Sequence, residues 1–167
     1  GGIFGELAHW ILDNGGVVCG CAYSEDYKDA KHIIVDCDGD IHKLIGTKYF
    51  QSNTENVYSK LKVLLDQGRL VLFAGTPCQN AALNSYLEND YDNLYQMDFV
   101  CNSISSPYAY RKWLEDLEGR YHSVVCRVRF KDKKEGWSKL NTEVHFENGR
   151  IHYEDRYSSL WGKGLIK

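Results

Sequence analysis

Residues 69–87 read Arg-Leu-Val-Leu-Phe-Ala-Gly-Thr-Pro-Cys-Gln-Asn-Ala-Ala-Leu-Asn-Ser-Tyr-Leu, and they constrain the fold more than any other stretch. Leu70 to Ala74 is an unbroken apolar run containing a Val and a Phe, the pattern of a strand buried on both faces. Ala81, Ala82, Leu83, Tyr86 and Leu87 follow at helical spacing. Between the two, Gly75 permits a tight turn, Thr76 is a natural N-cap, and Pro77 suits the first helical position. Gln79 stands three residues after Thr76, the spacing of a capping box. The stretch is therefore a strand–turn–helix joint with Cys78 in the first helical turn. Unpaired N–H groups and the helix dipole favour a thiolate there, as a metal ligand or a nucleophile. Open α/β sheets bind ligands beyond the carboxyl ends of their strands, which is where this joint lies. The competing reading is a capped helix whose Cys is a small buried hydrophobe.

A chain of 167 residues fits one domain with a true core, taken here as a single domain over 1–167. A net charge of -3 leaves no basic footprint, so no nucleic-acid partner is expected. No apolar run reaches membrane-spanning length and no leader precedes the first helical pattern, so no membrane span is expected. The six Cys (19, 21, 37, 78, 101, 126) include no Cys-x-x-Cys, which favours thiols or partial cluster ligation in a reducing cytoplasm over three disulfides. The opening Gly1-Gly2-Ile3-Phe4 lacks an initiating Met and suggests a stretch cut from a longer chain.

The spacing predicts a helix from Ile3 to Leu12, stopped by Asp13-Asn14-Gly15-Gly16. Strands are expected at Val17 to Tyr23 and Lys31 to Cys37, then a hairpin turn at Asp38-Gly39 leading into a strand from Ile41 to Ile45. Cys19 and Cys21 share a face at period two, and core packing is preferred for them over a metal site. Gly46 to Ser52 reads as neither strand nor helix; its hydroxyls, Lys48 and Tyr49 suit a phosphate or a ring, or a plain surface turn. Asn53 or Thr54 is expected to cap a helix running to Asp66. A strand from Leu94 to Val100 then leads into Cys101, and Ser105 or Ser106 caps a helix from Pro107 to Leu117. Strand, helix and strand at this spacing imply parallel pairing through a right-handed crossover, with Cys78 and Cys101 past the carboxyl ends of two neighbours. From His122 onward the pattern is all-β: Val124 to Phe130, Leu140 to Phe146, a turn at Asn148-Gly149, and Arg150 to Tyr153. The charged loop Lys131 to Trp137 would ordinarily be solvated, although Lys and Trp beside a cleft suit an anionic ring-bearing ligand. A short helical segment is expected from Tyr157 to Ile166. The fold class expected is α/β: a mixed sheet with parallel central strands, helices on both faces, and an antiparallel β-hairpin layer in the C-terminal third.

Several chemistries are excluded or unsupported. A phosphatase cradle needs a Gly-rich loop after the Cys and an Arg a turn later, and Gln79-Asn80-Ala81-Ala82-Leu83-Asn84 supplies neither. A Cys–His hydrolase needs a His near the thiol, whereas His9, His32, His42, His122, His145 and His152 fall in other elements. Neither Gly-x-Gly-x-x-Gly nor a P-loop is present. Two thiols on one sheet edge remain, as a redox dithiol or as part of an iron–sulfur ligand set that normally wants four thiolates.

Taken in order, Gly1-Gly2-Ile3-Phe4, Gly15-Gly16-Val17-Val18, Gly46-Thr47-Lys48-Tyr49 with Gln51-Ser52, Gly75-Thr76-Pro77-Cys78-Gln79, Asp98-Phe99-Val100-Cys101 with Pro107, and Phe130-Lys131-Asp132-Lys133 with Gly136-Trp137 span nearly the whole chain. This ordered set resembles the C-terminal domain family of the coenzyme F420 hydrogenase/dehydrogenase beta subunits. The resemblance implies a flavin- and iron–sulfur-containing oxidoreductase subunit passing electrons between a partner subunit or fused domain and a soluble acceptor such as coenzyme F420. It implies FAD lined by Gly1, Gly2, Gly46, Thr47, Lys48, Tyr49, Gly75, Thr76, Pro77 and Gln79, with helix starts facing its pyrophosphate. It implies a [4Fe–4S] cluster in the full-length protein, with Cys78 and Cys101 among its ligands. Cys19, Cys21, Cys37 and Cys126 match no family motif position, which supports core packing for all four.

The chain also departs from the pattern. Family members often carry His-Gly after the second Cys, where this chain has Asn102-Ser103, and usually a Ser before the opening Gly-Gly. They continue past the position of Lys167 into a Cys-rich tail. That implies further cluster ligands outside 1–167 and no cluster in this stretch alone. Two other functions stay open. One is a non-redox binding or scaffolding module of a polysaccharide pyruvyl-transfer pathway, where related domains occur. The other is a thiol-based redox protein using Cys78.

Overall fold

The computed structural model describes residues 2–133, 136 and 141–155. It divides into two compact units. The first comprises residues 1–22, 31–45 and 53–102, and the second residues 23–30, 46–52 and 103–167.

The first unit is a four-stranded sheet in the order β2-β1-β3-β4, with β1 Val17–Tyr23, β2 Ala30–Val35, β3 Val71–Gly75 and β4 Leu94–Asp98. β1, β3 and β4 run parallel, with Val17 opposite Val71 and Gly75 opposite Asp98. The connection from Ser24 to Asp29 is too short for a parallel crossover, so β2 is the antiparallel member and the sheet is mixed. Alternation along the strands sorts the core. Val17, Cys19, Val71 and Phe73 face α3 (Val57–Asp66) and α4 (Pro77–Leu87). Val18, Ala22 and Leu72 face α1 (Ile3–Asp13) and α2 (Asp38–Leu44) on the other side. Helices thus cover both faces, as the apolar run of β3 predicts. Val71, Leu72 and Phe73 are at most 1% exposed, each contributing about 1.5–3 kcal/mol of apolar burial. Gly16 is needed at the α1–β1 corner, where a Cβ would come within 2.6 Å of the Ile11 side chain.

The second unit packs α5 (Pro107–Tyr121) with an antiparallel sheet β5-β6-β7, made of Val125–Asp132, Asn141–Phe146 and Ile151–Asp155. Its core sets stacked rings among aliphatic side chains such as Leu114, Leu117 and Val144: Phe50 lies flat on Tyr110 at 3.7 Å, and Phe130 stacks on Trp113 at 6.3 Å. The Tyr110 hydroxyl donates to the Tyr27 carbonyl at 2.8 Å, fixing the 23–30 segment to α5.

Several expectations need correction. Residues 38–44 form α2, where a turn and strand were expected. Gly39 does not adopt the left-handed conformation that the hairpin turn requires. Ile41 and Leu44 are buried at helical spacing, and Asp38 and Asp40 in the first turn with Lys43 in the last suit the helix dipole. α3 starts after Asn56, which makes no side-chain cap bond: the Asn53 carbonyl accepts the His32 N–H at 2.9 Å and its side chain the Glu55 N–H, while the Thr54 carbonyl accepts the Val57 N–H at 2.9 Å. β4 ends at Asp98, opposite the last residue of β3, so its expected extension to Val100 has no ladder to join. On α4 the buried stripe is Asn80, Leu83 and Leu87, while Ala81, Ala82 and Tyr86 are exposed. Core packing holds for Cys19, which is fully buried with its thiol pushed far up by desolvation; Cys21 is half-buried, and Cys37 and Cys126 are exposed. The expected Tyr157–Ile166 segment, Trp137 and the start of the Leu140 strand lie outside the described residues.

Candidate functional site

The strand–turn–helix joint forms as its residues require. β3 ends at Gly75, where a Cβ would sit 2.8 Å from the Phe73 ring and 3.1 Å from Gln79 Oε1, so only glycine fits. Thr76 caps α4 in a capping box with Gln79, and the Thr76 N–H donates to Gln79 Oε1 at 3.0 Å. Pro77 occupies the first helical position and Cys78 the second. Thr76 is buried, and its Oγ1 lies 3.1 Å from the Sγ of exposed Cys78, a contact in which either group can donate. A hydroxyl in that position can donate to a thiolate and fix its direction.

Register places the second thiol. Gly75 pairs with Asp98, and both chains leave the sheet at that level, so Cys78 and Cys101 each stand three residues beyond the last rung. Both cysteines are exposed and belong to the first unit. Among the described residues no group of three or more His, Cys, Asp and Glu side chains is placed to hold a metal ion.

Sequence reasoning missed the residue that ties these ends together. Asn80 is 8% exposed, and its amide donates to the Gly75, Thr76 and Met97 carbonyls at 3.4 Å each. Its Oδ1 accepts from Gln96 Nε2 at 3.0 Å. One side chain therefore links the ends of β3 and β4. The available signal was an Asn inside the otherwise apolar stripe of α4, a residue that must find partners when buried. His32, 7% exposed, lies on the Phe73 ring at 5.3 Å with Nε2 3.3 Å from the Ala74 carbonyl oxygen. The Tyr58 hydroxyl donates to the Gln79 carbonyl, and burial pushes that phenol up.

The residues expected around a flavin divide between the two units. Gly2, Gly75, Thr76, Pro77 and Gln79 are in the first, and Gly46, Thr47, Lys48 and Tyr49 in the second; Gly1 lies outside the described residues. At α4 the fit to a phosphate is narrow. Pro77 has no N–H and Gln79 occupies that of Thr76, which leaves the Cys78 amide as the first open donor of the turn. Gly46 fits a close approach better. Its φ is +94° and a Cβ there would meet nothing within 4 Å, so the backbone is open to a bound group. Beyond it, Lys48 Nζ sits 5.3 Å from the Tyr23 ring centre, and Tyr49 meets Phe130 edge-on at 5.4 Å. The Gln51 N–H donates to the Ser105 carbonyl at 2.9 Å, anchoring this segment beside the Ser106 cap of α5.

No family model matches the sequence, and no curated protein does. Among the described residues no helix is long and apolar enough to cross a membrane. Among solved structures, the chain is similar to a chain of the xenon-derivatised F420-reducing [NiFe] hydrogenase complex from Methanosarcina barkeri, with 21% identity and a TM-score of 0.62. The match covers 93% of this chain and 54% of that one, so this chain spans about half its neighbour's length. At that identity the likeness is one of fold.

Proposed function

We propose that the chain is part of a flavin- and iron–sulfur-dependent oxidoreductase subunit, carrying electrons between a partner protein and a soluble acceptor such as coenzyme F420. One observation supports the reading most: β3 and β4 run parallel and end together at Gly75 and Asp98, with Cys78 and Cys101 each three residues further along the chain. The ordered motifs and the fold shared with a chain of an F420-reducing complex support it.

In this reading Cys78 and Cys101 are two ligands of the cluster. Thr76 Oγ1 orients the Cys78 sulfur, and Asn80 holds the strand ends that carry both thiols. Gly46 admits the flavin to the backbone, and Lys48 and Tyr49 offer it a cation and a ring. A bound flavin would supply hydride and single-electron transfer, with the protein setting its position and potential. The experiment is iron and sulfide analysis of the whole protein purified without oxygen, alongside Cys78→Ser and Cys101→Ser. Loss of iron in both variants, with retained melting temperature, is the expected result. Unchanged iron content in either variant removes that cysteine from the ligand set.

A further inference from the structure

Five non-glycine residues of the described chain have positive φ. Glu88 and His122 are the left-handed caps of α4 and α5, and Tyr27 and Glu55 lie in turns. Lys131, at φ +56°, is the one inside a strand. The pairing explains how it is held there. Arg129 is opposite Glu143 and Asp132 opposite Asn141, so three steps along β5 face two along β6 and a bulge lies between them. Bulges of this kind ordinarily place glycine in the left-handed position, and a lysine there carries backbone strain.

The strain aims the side chain. Lys131 is half-buried, and its Nζ stands 5.2 Å from the centre of the Tyr49 ring, whose edge meets Phe130. The adjacent carboxylate, Asp132, is 5% exposed and faces Arg129 at 3.5 Å, so that negative charge is engaged elsewhere. Lys131 thus holds its ammonium over an aromatic face, three residues along the chain from Gly46 at Tyr49. A ring partner leaves the ammonium's strong donors for an oxyanion.

We propose that Lys131 is an oxyanion-binding residue that takes the phosphoryl group of a flavin nucleotide, with Tyr49 positioning its ammonium. The identity of the carrier rests on the flavin reading above; the recognition of a phosphoryl oxyanion rests on the bulge geometry.

The decisive variant is Lys131→Gly, which removes the cation and relieves the left-handed backbone, so it folds at least as well as the parent. Affinities of FAD, riboflavin and inorganic pyrophosphate are measured by fluorescence and calorimetry for the parent, Lys131→Gly and Lys131→Arg. A charge-assisted hydrogen bond predicts FAD and pyrophosphate weakened about tenfold or more in Lys131→Gly. Riboflavin binding should be unchanged, the melting temperature equal or higher, and Lys131→Arg should restore most of the loss. Equal FAD affinity in parent and Lys131→Gly would overturn the proposal while leaving the flavin reading intact. A parent that binds no flavin would overturn that reading; in that case Lys131-dependent pyrophosphate binding supports the oxyanion site, and its absence overturns the site as well.

Discussion

The two units solve the burial problem differently. In the first, two mostly aliphatic layers alternate across a mixed sheet, Val17, Cys19, Val71 and Phe73 to one side and Val18, Ala22 and Leu72 to the other. In the second, stacked aromatics share the core with buried Leu114, Leu117 and Val144, and a fully buried carboxylate, Glu143, sits within the sheet 3.2 Å from His145 Nε2 and 3.7 Å from Arg129. An aliphatic core is apolar and tolerant of shape change, whereas a core of rings and buried charge depends on individual partners. The difference extends to the candidate sites. The first unit presents thiols at the end of a regular ladder, and the second presents lysines and rings held by irregular backbone.

The largest expected effect breaks the apolar packing of the first unit. Phe73→Ala removes a fully buried ring touched by His32 and Tyr58, and should cost about 3–5 kcal/mol in urea unfolding. A loss well below this would mean the two layers close over the cavity. Next comes the polar tie within that apolar unit. Asn80→Ala removes the side-chain donor shared by the Gly75, Thr76 and Met97 carbonyls and the acceptor of Gln96 Nε2, and should cost about 1–3 kcal/mol. Hydrogen exchange should quicken at the ends of β3 and β4, and protection equal to the parent's would deny Asn80 its role. In the aromatic unit, Tyr110→Phe keeps the stack on Phe50 and removes the bond to the Tyr27 carbonyl, about 1 kcal/mol by thermal melting. A neutral result would assign that segment's anchoring to the rings alone.

The smallest effect concerns pH. The Ser24 hydroxyl, 2.5 Å from Asp26 Oδ1, is the main cause holding that carboxyl below its usual range, aided by the Lys28 N–H. A depressed folded value means stabilisation that is complete above the unfolded carboxylate's range and fades as pH falls through the folded value. The melting difference between parent and Asp26→Asn should therefore be greatest at neutral pH and vanish in acid. It should stay small throughout, because the group is largely exposed.

Much of the first unit was legible because its signals are local. The apolar run of β3, Thr76, Pro77 and Gln79 each act within a few residues, and the joint forms as their chemistry requires. Legibility failed where two periods competed over a short span: in residues 38–44, Asp38-Gly39 suggests a turn, but the spacing of Ile41 and Leu44 satisfies a helix buried against its neighbours. It failed too where the deciding contacts are distant in sequence. Asn80 looks like an ordinary helix residue until Met97 and Gln96 are placed beside it. Lys131 looks like part of a solvated charged loop until the bulge on β5 turns it toward Tyr49. Exposure of Cys37 and Cys126 escaped reading for the same reason, since a motif mismatch says nothing about where a thiol faces.

The central claim is most directly tested by the visible absorption spectrum of the whole protein, purified without oxygen and recorded before and after adding a reductant. The account predicts flavin bands with a broad cluster shoulder, bleaching together on reduction. A featureless spectrum, with no FAD taken up on reconstitution, would contradict it and return the chain to a non-redox binding module.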